Sequence, residues 1–216
     1  YLLGAYWMRI LIASFGFDID YVASRIISVN PQRVVLLALY TTEEAYSRIE
    51  KAFHMLSVMC KSMKIDCKLE KIDPKNLHRS VYTILEYEAG NADELEIYLT
   101  GGPRILVATL LLVTLLLPSN ILLKTKITVE GEGFNCRLTI DPKVIVERMK
   151  LDNRDKMIIS KLDVLGKATL SEIARVLENI PRSTIHRRLK ELEEKGLIYK
   201  MNGYYAIKEL LEITCS

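Results

Sequence analysis

The residues best suited to chemistry in this sequence are Thr100-Gly101-Gly102-Pro103-Arg104. They follow the β-prone run Glu96-Ile97-Tyr98-Leu99 and precede Ile105 to Leu117, thirteen residues without a charge. Two glycines let a backbone approach a ligand closely. Proline suits the first turn of a helix, where its missing N–H is not needed and its φ is already helical. Free N–H groups at a helix start attract anions, and Arg104 adds a cation. Strand, Gly-Gly, Pro-Arg and helix therefore read as a phosphate-facing corner at the carboxyl end of a strand, where open α/β sheets bind ligands. The same residues also fit a tight strand-to-helix turn with no ligand. The motif is neither a P-loop nor G-x-G-x-x-G.

A second set lies near the other end. Ile185, Leu189 and Leu192 recur at helical spacing, so they face a core. Arg182, Ser183, Thr184, His186, Arg187, Arg188 and Lys190 occupy the remaining faces. Arg reads guanine bidentately, and Arg, Ser and Thr bind phosphate. Gly196 stops the helix. Asn202-Gly203 between two apolar runs then marks a hairpin, whose Lys200, Asn202 and Tyr204 lie where a wing meets DNA. Capped helices followed by a hairpin describe a winged helix-turn-helix. The bland alternative is a solvated basic face on a protein-interaction module.

Charge separates the two regions. Residues 1–142 hold 15 Lys+Arg against 16 Asp+Glu, and residues 143–216 hold 15 against 11. A neutral front and a basic back suit two domains, the second facing a polyanion. Cys60, Cys67, Cys136 and Cys215 are scattered, and His54, His78 and His186 are far apart, so no metal site and no cofactor are expected. A single glutamine amid plentiful Lys, Glu and Ile matches the bias of heat-loving organisms. In such organisms an intracellular disulfide is admissible. The uncharged run falls short of the ~20 residues a bilayer span needs, so no membrane association is expected. Met8-Arg9 reads like a start followed by a strand, and residues 1–7 fit either an added segment or a natural extension. Asp18 and Asp20 interrupt the early apolar run too soon for a signal peptide, which points to the cytoplasm.

The elements that must position these residues alternate between strand and helix. Strands are predicted at Arg9–Ser14, Arg33–Tyr40, Cys67–Ile72 and Glu96–Leu99, and a hairpin at Ile121–Val129 and Phe134–Ile140 turns through Glu130 to Gly133. Helices are predicted from Asp18 to about Ser28, from Thr41 or Thr42 to about Met63, over Lys75–Ala89 and over Ile105–Leu117. This order describes an α/β fold, a Rossmann-like, doubly wound, mostly parallel sheet over residues 8–142. The all-apolar helix is covered by the sheet and by a partner subunit. Residues 143–151 form a connector helix. Residues 152–216 form the smaller winged helix-turn-helix domain, with helices at Asn153–Val164, from about Lys167, and at Arg182–Lys195.

The combination resembles the archaeal CRISPR-associated transcription regulators that carry an N-terminal CARF (CRISPR-associated Rossmann fold) domain, with a winged helix similar to that of MarR-type regulators. Thr100 to Arg104 and the domain order carry the resemblance most specifically, and Ser14-Phe15-Gly16-Phe17-Asp18 is similar to the family's first ligand motif. The resemblance implies a homodimer that takes a cyclic oligoadenylate, cyclic tetra-adenylate first among them, across its twofold axis as a regulatory ligand. It implies DNA targets in CRISPR-associated promoters or leaders, hence an antiviral role. It also implies ligand contacts from Ser14, Phe15, Gly16, Thr41, Thr42, Thr100, Gly101, Gly102, Pro103 and Arg104. Neither motif holds a His or a paired carboxylate, so no catalytic residue is assigned and no enzyme activity is expected. Two alternatives stand beside this reading. One is slow cleavage of the ring by attack of a ribose 2′-hydroxyl; the other is a winged-helix regulator that senses another nucleotide.

Overall fold

The computed structural model describes residues 7–131 and 136–215. They form two compact units, one reaching to Pro142 and completed by the segment from Leu211, the other Lys143–Leu210.

The first unit runs β1 (Arg9–Ser14), α1 (Asp20–Val29), β2 (Arg33–Leu39), α2 (Glu43–Ser62), β3 (Asp66–Ile72), α3 (Leu77–Asn91), β4 (Glu94–Leu99), α4 (Arg104–Leu115), a short α5 (Ser119–Leu122), β5 (Thr125–Glu130) and β6 (Cys136–Ile140). The second unit holds most of α6 (Pro142–Met149), then α7 (Asn153–Leu165), β7 (Lys167–Thr169), α8 (Leu170–Val176), α9 (Arg182–Glu194), β8 (Ile198–Met201) and β9 (Tyr204–Ile207). The chain then returns to the first unit as β10 (Leu211–Cys215).

The large sheet has the order β10-β6-β5-β4-β1-β2-β3. β3, β2, β1, β4 and β5 are parallel, and β6 and β10 pair antiparallel at one edge. This is the Rossmann-like arrangement expected. β1 and β2 are buried along nearly their whole length, as strands covered on both faces must be. Side chains alternate between the faces. Leu11, Ala13, Val34, Leu36 and Ala38 join Val22 and Ile26 of α1 and Ile49, Ala52 and Leu56 of α2 in one cluster. α4 packs against α3, β4 and β1. Arg25 of α1 and Glu96 of β4 form an ion pair at 2.5 Å whose side chains are only 7% and 5% exposed.

The structure corrects the sequence reading at four places in this unit. Asp18 does not cap α1: its carboxylate accepts the Asp20 N–H at 3.0 Å, and the helix begins after Ile19. Ile121 opens no strand. Pro118 and Ser119 start a helical turn, and β5 begins only at Thr125, whose hydroxyl donates to the Ile121 carbonyl at 2.8 Å. The four cysteines are not scattered in space, since Cys60 joins Cys67 and Cys136 joins Cys215. The second bond ties β10 to β6, so residues 211–215 belong to the α/β sheet and not to the winged unit. Part of the predicted hairpin turn, residues 132–135, lies outside the described residues.

In the second unit Ile158, Leu162, Ile173, Ile185, Leu189, Leu192, Leu197 and Tyr205 make the core. Thr169 caps α8, its hydroxyl and the Glu172 carboxylate forming a reciprocal capping box. The residues before Thr169 are not helical but form β7, the third strand of a β7-β9-β8 sheet. Gly196 (φ +72°) ends α9 with the Gly196 and Leu197 N–H groups on the Glu193 and Leu192 carbonyls, a Schellman stop. Asn202 and Gly203 both have positive φ, as the wing turn requires.

Two carboxylates of this unit titrate low. The Asp155 backbone N–H, with Arg188 beside it, holds Asp152 below the usual carboxylate range; the Thr169 backbone and hydroxyl do the same for Glu172. A depressed carboxylate contributes stability that is fully present above the unfolded value near ~4 and is lost as pH falls through the lower folded value. Urea midpoints of the winged unit are therefore expected to fall below about pH 4. Glu172→Gln should flatten that fall, and an unaltered profile would remove Glu172 from the effect.

Candidate functional site

β1 and β4 are neighbours in the sheet, and their chains leave in opposite directions, to β2 and to β5. This is a topological switch point, where the carboxyl ends of strands open a crevice. The loops after β1 and β4 meet there backbone to backbone. The Thr100 N–H points at the Ser14 hydroxyl at 3.3 Å. A Cβ on Gly16 would lie 2.9 Å from the Gly102 nitrogen, and one on Gly102 (φ +87°) 2.8 Å from the Phe15 carbonyl oxygen. The glycines are thus demanded first by the close approach of two loops. A cleft of about 420 Å³ opens above them.

Its wall on the β1 side is Gly16, Phe17 and Asp18; on the β4 side it is Thr100, Gly101, Gly102 and Pro103. Leu39 and Thr41 close the end of β2, and Ala45, Arg48 and Ile49 of α2 form the remaining wall. Beneath, the buried Tyr98 hydroxyl donates to the Glu130 carboxylate, which Arg137 also holds. Burial, and then Glu130, raise that phenol far above its ordinary value, so it stays protonated.

Of the residues picked from sequence, Gly16, Thr41, Thr100, Gly101, Gly102 and Pro103 line the cleft. Ser14 and Phe15 do not: both are fully buried, Ser14 tying the loops together and Phe15 joining the core. Thr42 caps α2, its hydroxyl accepting the Ala45 N–H at 3.2 Å. Arg104 is exposed at the first residue of α4 and is not in the lining, and Pro103 is the N-cap, not the first helical residue. The cation over the cleft is Arg48. A helical signal was available, because Thr41, Ala45 and Arg48 or Ile49 recur four and seven or eight residues apart.

The basic helix of the second unit sorts its residues as clearly. Arg182, Ser183, Arg187 and Lys190 are exposed, as are Lys200, Asn202 and Tyr204 on the wing, whereas Thr184 and His186 are half-buried. Arg187 is 64% exposed and, among the described residues, pairs only with Glu191, an i,i+4 contact at 3.1 Å. Arg188 corrects the sequence reading. Its side chain is 18% exposed and pairs with Asp152 at 2.7 Å and Asp155 at 3.1 Å, so it fastens α9 to the start of α7 instead of facing outward. Among the described residues no group of His, Cys, Asp and Glu could hold a metal ion, and no helix is long and apolar enough to cross a membrane.

Known proteins place this architecture. Residues 159–198 match a helix-turn-helix domain. The HTH-type transcriptional regulator FL11 of Pyrococcus abyssi (strain GE5 / Orsay) is 45% identical over 56 residues, 26% of this chain and 36% of that protein. FL11 of Pyrococcus furiosus is 43% identical over 53 residues, 24% and 34% of the two chains. The match thus spans only about a third of the length of these regulators. Among solved structures, Can2 from Sulfobacillus thermosulfidooxidans in complex with cyclic tetra-adenylate aligns with a TM-score of 0.44 at 11% identity, covering 93% of this chain and 61% of that one. Protein VC1899 from Vibrio cholerae aligns with a TM-score of 0.40 at 11% identity, covering 94% and 62%. The α/β unit matches, from residue 9 to residue 141 and hence over more than half of the sequence, the family described as the Csa3 CRISPR-associated Rossmann-like domain, and the chain belongs to that family.

Proposed function

We propose that this protein is a dimeric transcription regulator of CRISPR-associated genes or arrays that senses a cyclic oligoadenylate, cyclic tetra-adenylate in the first instance, and binds DNA through its winged helix. The observation that carries the reading is the cleft at the β1–β4 switch point, with Gly101, Gly102 and Arg48 in its wall, built into the same chain as a helix-turn-helix. Backbone N–H groups and a guanidinium suit phosphate. A second copy is supported by α4 and its C-cap Leu116, where Ile105, Leu112 and Leu116 are each at least 60% exposed and fall on one side. A ring of fourfold repeat fits a twofold site, and across such a pairing Arg104, exposed beside Ile105, would face the ring from the rim. The ligand acts by binding one arrangement of the two winged helices better than the other.

Calorimetric titration with cyclic tetra-adenylate tests the reading. One ring per two chains is the expected stoichiometry, with affinity reduced in Arg104→Ala. No heat and no change in melting temperature would set the ligand aside. The function is binding, not turnover, so labelled ring incubated with the protein is expected to return intact.

The DNA face has its own test. Arg187→Ala should weaken operator binding and reduce the slope of log affinity against log salt by about one for each phosphate that the guanidinium neutralises. Arg188→Ala should leave the slope unchanged and lower the melting temperature, because Asp155, nearly fully buried, loses its guanidinium. A reduced slope in Arg188→Ala and an unchanged one in Arg187→Ala would reverse these roles.

A further inference from the structure

Phe17 and Arg48 stand out in the cleft because neither is used by the fold. Phe17 is 66% exposed although it is a large apolar ring in a short loop beside a buried sheet. The Arg48 guanidinium carbon lies 4.8 Å above the centre of that ring. Arg48 has no carboxylate partner among the described residues, unlike Arg9, Arg25, Arg33, Arg137 and Arg188, which are all paired. An unpaired guanidinium resting on an exposed aromatic face is weakly held, since such an interaction at an exposed site is easily broken. Both groups border the same cleft as the Gly101–Gly102 backbone.

We propose that Phe17 and Arg48 form a nucleotide clamp in which a purine base takes the place of the guanidinium on the Phe17 ring and the released guanidinium pairs with a phosphate of the same ligand. Every base has a π-face, and stacking on an aromatic side chain is a general means of holding one. Arg adds a planar fork that matches phosphate oxygens. The charges orient the ligand. Asp18, next to Phe17 in the loop, disfavours an anion at that wall, so the base occupies the Phe17 end and the phosphate the end with Gly101, Gly102 and Arg48. Without ligand, the cation rests on a ring that stays largely exposed; with ligand, the same two side chains hold its two chemically different halves. The inference rests on the proposed nucleotide reading, to which it adds the residues that recognise base and phosphate separately.

The experiment uses the full chain and three probes: cyclic tetra-adenylate, linear tetra-adenylate and the nucleoside adenosine at millimolar concentration. Phe17→Leu is expected to lose about tenfold or more in affinity for each probe that the unaltered protein binds. Arg48→Gln is expected to lose affinity for the phosphate-bearing probes while keeping adenosine, and Phe17→Trp to bind with quenching of the new indole. Melting temperatures of Phe17→Leu and Arg48→Gln should match the parent, because neither side chain is used by the core. Binding of the linear probe but not the ring, with the same dependence on Phe17, would uphold the clamp and overturn the cyclic ligand. Undiminished ring binding by Phe17→Leu would overturn the clamp and leave the ligand reading standing. Failure of the unaltered protein to bind any of the three would overturn both.

Discussion

Glu96→Ala should destabilise the α/β unit by about 3–5 kcal/mol, because it leaves the Arg25 guanidinium buried without its carboxylate. Arg25 donates through both Nε and Nη2 to one Glu96 oxygen, at 2.8 and 2.5 Å, and no other ion pair to Arg25 is present among the described residues. The charge has little water to turn to, since both side chains are almost fully covered. For a chain of this length that loss corresponds to a fall in melting temperature of roughly 6–20 °C. The decisive companion is the double change Arg25→Met with Glu96→Leu. Replacing both partners by apolar groups of similar volume removes the desolvation cost together with the attraction, so most of the stability should return. A single variant that melts within a degree or two of the parent would mean that the guanidinium reaches solvent after all.

Gly102→Ala should be nearly as severe, for a reason that lies in the backbone. Its φ of +87° strains any side chain, and the added Cβ would sit 2.8 Å from a carbonyl oxygen of the neighbouring loop. A residue held in such a region costs about 1–3 kcal/mol, and the clash adds to that because the atom met is backbone. The two loops must part, and the cleft between them changes shape. Gly90→Ala is the control. A Cβ there meets nothing within 4 Å, and the residue is exposed near the end of α3, so the exchange should stabilise slightly by removing helical glycine. Thermal unfolding of both variants distinguishes the sites. Equal melting temperatures would show that the loops are not interlocked.

Much of this architecture is legible in the sequence, and the pattern of what is not has a physical cause. Val34 to Leu39 reads as a buried strand of a parallel sheet because an unbroken apolar run of that length has few other homes. Gly196 and Asn202-Gly203 read as a stop and a turn because positive φ selects those residues. These are local signals. β10 is invisible by the same logic. Leu211-Glu212-Ile213-Thr214-Cys215 alternates, but its partner β6 is separated from it by the whole winged unit. The Cys136–Cys215 bond depends on that pairing and could not be read without it. Arg188 looks outward on a helical wheel. Only the position of the Asp152 cap on another helix turns it inward. The cleft follows this division: the Gly101–Gly102 corner is readable, whereas the helical spacing of Thr41, Ala45 and Arg48 gains its meaning only once α2 packs on the sheet. Ser14 and Thr42 have the right chemistry for a ligand and spend it on the loops and on a helix cap.

The return of the chain to β6 also sets an order of events in synthesis. Translation completes residues 143–210 before β10 leaves the ribosome, so the winged unit has its whole core while the α/β sheet still lacks an edge strand. Domains generally fold as units once their chain is available. Until then β6 presents an unpaired edge, the kind of surface that recruits other strands. A nascent chain of this protein thus holds every residue of its winged unit before its large sheet holds all seven strands, and the arrival of Leu211–Cys215 both covers an aggregation-prone edge and brings Cys215 to Cys136.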